Sequence, residues 1–127
     1  MQHEVIGKSI GLGRQGEQLA ADYLTDLGWN IIERNWRCPI GEIDICALAP
    51  NEFGPPTAVA VEVKTRSGLG YGDPLEAITW QKLSTLRALA ATWVKTLGVS
   101  HYGVRVDAVG VLKRRGRAVE FQHVMGL

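Results

Sequence analysis

Apolar and polar positions alternate with period two through Val59-Ala60-Val61-Glu62-Val63-Lys64-Thr65-Arg66, which predicts a β-strand. One face is branched aliphatic, and the other carries Ala60, Glu62 and Lys64. Going back to the start, residues 1–12 show no clear period and read as a flexible lead-in. A 3.6-residue period follows, with Leu19, Ala20, Tyr23, Leu24 and Leu27 on one stripe. It predicts a helix from Arg14 to Leu27 that stops at Gly28. Glu17 lies on the border of that stripe, ~20° from Leu24 around the axis. It is either a solvated acid favoured by the helix dipole or a group directed along the sheet toward something positive.

Trp29–Arg37 alternates irregularly and ends before Pro39, so it reads as a strand. Ile40–Leu48 is a second strand, with Ile43, Ile45 and Ala47 facing one way and Glu42, Asp44 and Cys46 the other. Aspartate is depleted in strand interiors, so Asp44 between two isoleucines wants a reason. The turn-rich stretch from Pro50 to Pro56 leads into the Glu62 strand and makes the two strands antiparallel neighbours. On that arrangement Asp44 and Glu62 converge on one face. Ser67–Gly72 reads as a flexible loop, and Asp73-Pro74 as the cap and first position of a helix running to Leu97. Leu83, Leu86, Ala90, Trp93, Val94 and Leu97 form its core stripe. Val104–Leu112 alternates as a strand, and Val119–Val124 pairs with it across a basic turn at 113–117.

Composition changes this picture little. The chain has 127 residues, 46% hydrophobic and 21% charged, with a net charge of +1. That is the size and make-up of one ordinary globular domain, 1–127. There is no apolar run of the ~20 residues needed to cross a bilayer, so a cytoplasmic location without membrane contact is expected. Cys38 and Cys46 have no metal-ligand spacing and read as reduced thiols. Gly11-Leu12-Gly13-Arg14-Gln15-Gly16 formally matches a dinucleotide-binding loop and finds Glu33 about 20 residues on. It lacks the buried parallel strand that such a loop must follow, and the glycines read as a flexible lead into the first helix.

Glu62 and Lys64 share a strand face with Cα atoms about 6.5–7 Å apart. The pair is either a solvated strand face or a carboxylate that holds a cation while the lysine reaches the same reacting group. Together with Asp44 it resembles the PD-(D/E)XK motif of restriction-endonuclease-like nucleases. A closer similarity is to the YraN family. It is carried by Gly13-x-x-Gly16-Glu17, Asn35-Trp36-Arg37, Gly41-Glu42-Ile43-Asp44, Val61-Glu62-Val63-Lys64-Thr65-Arg66 and Glu76-Ala77 with Lys82. The similarity runs from about Gly13 to Asp107. The chain departs from the wider pattern in having no proline before Asp44 and an adjacent pair of prolines, Pro55-Pro56, in the 50–57 loop.

The resemblance implies an α/β fold with a restriction-endonuclease-like three-layer core, in the order α-β-β-β-α-β, and a mixed central sheet extended by a C-terminal strand. It implies a phosphodiesterase acting on DNA, branched or single-stranded substrates included, with Mg²⁺ or Mn²⁺ as cofactor. Asp44, Glu62, the Val63 carbonyl and Glu17 would be the metal ligands. Lys64, Glu62, Asp44 and Glu17 would be the catalytic set, and Arg66, Lys82 and Arg87 would follow the phosphate backbone. A nuclease-fold protein that binds nucleic acid or a protein partner without cleaving, and assembly as a homodimer, stay open.

Overall fold

The computed structural model describes residues 11–68 and 74–127. The expected lead-in up to residue 10, the loop at 69–72 and the Asp73 cap lie outside the described residues. Helix α1 spans Leu12–Asp26, followed by strands β1 (Asn30–Cys38), β2 (Gly41–Ala49) and β3 (Thr57–Arg66). A 3-10 turn at Pro74–Ala77 precedes helix α2 (Trp80–Val94), and strands β4 (Val104–Leu112) and β5 (Glu120–Val124) close the chain. This is the expected element order with the extra C-terminal strand.

The strands form one five-stranded sheet in the order β1-β2-β3-β4-β5. β3 and β4 are parallel and every other neighbouring pair is antiparallel. A parallel pair needs a long crossover, and α2 supplies it. α1 covers one face and α2 the other, so β3 is buried on both. Val59, Val61 and Val63 pack with Ala20 and Leu24 of α1. Ala58 and Ala60 pack beneath Leu86, Leu89 and Trp93 of α2. Small residues on the strand leave room for the large ones on the helix, the interdigitation that dense cores require.

Four expectations need correction. The glycines at 13 and 16 are helical rather than a flexible lead-in, because α1 already begins at Leu12. The second long helix begins at Trp80, not Pro74; the Thr79 hydroxyl accepts from the Lys82 N–H at 3.1 Å and caps it there. Leu27 is half-exposed, since it is the residue that ends α1 before Gly28 turns the chain at φ +90°. Finally, Ile43 does not share a face with Ile45. It packs in the α2 cluster with Cys46 and Leu48, whereas Ile45 and Ala47 pack under α1.

That last difference has a visible cause. The β1–β2 ladder pairs Arg34 with Ile45 and Trp36 with Ile43, and Asn35 and Asp44 between them are unpaired. Asn35 adopts φ +54°, the left-handed conformation that asparagine tolerates better than most residues. The β2–β3 ladder likewise stops at Ile45 and Val61. The strand therefore changes phase at Asp44, which is released from both neighbours.

Candidate functional site

The C-terminal half of β3 brings Glu62 to the α2 side of the sheet, in line with Ala58 and Ala60. Glu62 is only 3% exposed. The solvated-face alternative for this residue therefore does not hold. Burying a carboxylate is costly unless it is paired, and here it is paired twice. Lys64 Nζ and Lys82 Nζ each lie 3.3 Å from Glu62 Oε2. Lys64 comes from the same strand face and Lys82 from the first turn of α2, where the Thr79 cap fixes its backbone.

Asp44 stands beside this cluster. Its Oδ2 accepts a hydrogen bond from the Val63 N–H at 2.8 Å, in the space left by the interrupted ladder. Burial, then the neighbouring Glu62 charge, raises the Asp44 carboxyl from the ordinary carboxylate range to about 7. The Val63 N–H opposes that shift, and Glu17 adds to it from α1. Glu17 is 16% exposed in its side chain and accepts from Asn35 Nδ2 at 3.0 Å, with Arg34 at 3.8 Å. The kinked backbone at Asn35 thus ties Glu17 to the part of β1 that flanks Asp44.

α1 reaches this position because of Gly16. A Cβ there would overlap the Thr65 hydroxyl on β3. Only glycine lets the helix lie this close to the strand, and Glu17 is the next residue.

The expected set is brought together unequally. Asp44, Glu62, Lys64 and Lys82 are neighbours, with Glu17 at the margin. The Val63 contact with Asp44 is made by its N–H. Arg66 extends the Glu62–Lys64 face of β3 and donates from Nη1 to the Thr65 carbonyl at 3.1 Å. Arg87 is apart. It lies ~140° around α2 from Lys82, and its guanidinium stacks over the exposed Trp80 ring at 5.8 Å. Among the described residues no three His, Cys, Asp or Glu side chains are grouped so as to hold a metal ion. Asp44 and Glu62 are a two-carboxylate set, which suits Mg²⁺, a cation usually held by one or two carboxylates with water and phosphate completing its shell.

Sequence reasoning missed Asn35 and Arg34 as partners of Glu17. An asparagine inside a predicted strand was the available signal, since asparagine is depleted in strands and tolerates positive φ.

The fold and these residues define a class: a mixed-sheet α/β protein whose buried central strand carries a carboxylate–lysine pair beside a second carboxylate. Within it, this chain belongs to the UPF0102 (YraN) family. The family model described as "Uncharacterised protein family UPF0102" matches residues 16–111. A UPF0102 protein of Clavibacter michiganensis is 52% identical over 105 residues, covering 83% of this chain and 85% of its own length. One from Renibacterium salmoninarum is 47% identical over 118 residues, covering 93% and 96%. One from Mycobacterium tuberculosis is 43% identical over 121 residues, covering 93% and 92%. No helix among the described residues is long and apolar enough to cross a membrane.

Proposed function

We propose that this protein is a divalent-metal-dependent nuclease that hydrolyses phosphodiester bonds in DNA, branched or single-stranded substrates included. The observation that carries the reading is the buried Glu62, held by Lys64 and Lys82 at 3.3 Å each, beside an Asp44 whose proton affinity is raised to about 7. Two carboxylates pressed together in a half-buried site repel when both are ionised. A cation relieves that repulsion, and it is the natural complement of such a pair.

Asp44 and Glu62 would hold Mg²⁺ or Mn²⁺, with Glu17 nearby and the Val63 carbonyl as a further oxygen. The ion would supply charge neutralisation at phosphorus and acidify water. The chain's own residues do the rest. Lys64, fixed on the same strand face as Glu62, places an ammonium where negative charge grows on the phosphate oxygens. Lys82 offers a second cation from α2, and Arg66 continues the positive edge along β3 as a phosphate contact. Glu17, oriented by Asn35, keeps a third negative charge on the Asp44 side.

One observation favours a second reading, a nuclease-fold protein that binds without cleaving: both lysines are already engaged by Glu62. A single assay separates the two. Plasmid, junction and single-stranded DNA are incubated with Mg²⁺, Mn²⁺ or EDTA. Metal-dependent cleavage is expected for wild type and is expected to disappear in Lys64→Ala and Glu62→Ala. Binding without cleavage in every ion would favour the second reading, and cleavage that survives either substitution would remove this site from the mechanism.

A further inference from the structure

A cavity of about 600 Å³ lies outside the Glu62–Lys64 cluster, between α1, β1 and the start of the β4–β5 turn. Arg14, Arg34 and Lys113 line it against a single carboxylate, Glu17. This is a local excess of positive charge in a chain whose net charge is only +1. Neutral oxygens hold two of the cations most closely. Arg34 Nη1 donates to Gln18 Oε1 and Lys113 Nζ to Gln15 Oε1, each at 2.7 Å. Arg14 has no ion-pair partner among the described residues. Arg34 also lies 3.8 Å from Glu17, so Arg14 and Lys113 are the cations of the cavity without a carboxylate partner among the described residues, the condition for binding an anion. Leu19 and Val119 provide an apolar floor.

Continuity with the candidate site decides what the anion is. Glu17 and Asn35 line the cavity and are hydrogen-bonded to each other, and Asn35 lies across from Asp44 between the Arg34–Ile45 and Trp36–Ile43 pairs of the ladder. A strand whose phosphate lies at Asp44 and Glu62 would pass its next residue into this space. The volume suits one nucleoside unit, within the ~300–1,000 Å³ of small-molecule sites. A base can enter such a side cavity only by leaving its stack.

Resting on the nuclease reading, we infer that this cavity receives an unpaired nucleotide of the nucleic-acid strand that adjoins the phosphate at Asp44 and Glu62. The base lies against Leu19 and Val119, and Arg14, Arg34 and Lys113 contact the flanking phosphates. The protein is then selective for DNA with a frayed, overhanging or branched strand over blunt duplex.

The test is equilibrium binding of fluorescent DNA in EDTA, so that no cleavage is read, with the variants R14A/K113A and R14K/K113R. Neither residue belongs to the proposed catalytic set, and melting temperatures check that both variants fold. Wild type binds an overhang duplex about tenfold tighter than the blunt duplex, the scale of one stacked base. R14A/K113A loses that preference, and its log affinity against log salt is shallower by about 1.4, two single-strand phosphate contacts. R14K/K113R restores both.

Equal affinity for the two duplexes, a preference that survives in R14A/K113A, or no binding at all overturns the inference. So does displacement by thymidine monophosphate as effective as by the oligonucleotide, which would assign the cavity to free nucleotides. If overhang and blunt DNA are cleaved alike and R14A/K113A changes nothing, the cavity loses its role while the nuclease reading stands. If no DNA is cleaved yet the variant abolishes the preference, the reverse holds.

Discussion

Asp44 carries the clearest electrostatic signature. Its folded-state value of about 7 lies above the 3.8 of an ordinary aspartate, so the folded protein binds a proton that the unfolded chain has lost. The stabilisation from that proton is complete below about pH 4 and is lost as pH rises through 7. In EDTA, wild type should therefore lose stability between about pH 4 and pH 7, and Asp44→Asn should flatten that slope. At pH 8 the variant should be the more stable, by on the order of 2–3 kcal/mol. Urea unfolding at a series of pH values measures it, and parallel curves for the two proteins would refute the assignment. Glu62 should behave oppositely. Its charge holds two ammonium groups, so Glu62→Gln should cost about 1–2 kcal/mol. That is less than a fully buried pair, because the Lys82 side chain is 44% exposed. Asp44 could be singled out from sequence because aspartate fits a strand interior poorly. Its proximity to Glu62 followed from antiparallel pairing. The left-handed Asn35 that frees Asp44 from the ladder could not be read, since register and φ are properties of the assembled sheet.

Among the elements, α1 is placed by one residue. Gly16→Ala would drive a methyl group into Thr65 on β3, and lifting the helix away should cost about 1–3 kcal/mol despite alanine's better helix propensity. A thermal melt tests it; an unchanged or raised melting temperature would show that α1 can yield without penalty. α2 separates two residues that sequence reasoning had grouped. Lys82 reaches Glu62, whereas Arg87 lies over Trp80. Lys82→Ala should reduce DNA cleavage at least tenfold, the loss of roughly one charge contact at the phosphate. Arg87→Ala should leave it near wild type. Equal losses would restore Arg87 to the site. The strands were legible to within about two residues, a normal boundary error, because strict alternation over Val104–Leu112 and Val59–Arg66 leaves little choice. The start of α2 was not, because Asp73-Pro74 has the composition of a helix start and the Thr79 cap lies a few residues further on.

At the scale of the whole molecule, the two sheet faces carry different polar centres. Asp107 on β4 is fully buried on the α1 side. Arg105 donates to its two carboxylate oxygens at 2.8 and 3.1 Å. His123 Nε2 lies 2.9 Å from Asp107 Oδ2, and the Gly126 N–H donates to Oδ1 at 3.1 Å. Tyr23 of α1 joins through His123 at 3.1 Å, so one carboxylate fastens β5 and the C-terminus to the first helix. Asp107→Asn should cost about 3 kcal/mol and loosen β5, while any response to metal persists. The same β3 segment supplies valines to the α1 core and Glu62 and Lys64 to the α2 side, so the candidate site depends on a strand that the whole core holds in register. The most direct measurement is the melting temperature of wild type, Asp44→Asn and Glu62→Gln in EDTA and in Mn²⁺. At a hundredfold excess over its dissociation constant, Mn²⁺ should stabilise wild type by about 2.7 kcal/mol, and both variants should lose most of that response. No stabilisation of wild type, or one that survives both substitutions, would contradict a metal centre at Asp44 and Glu62.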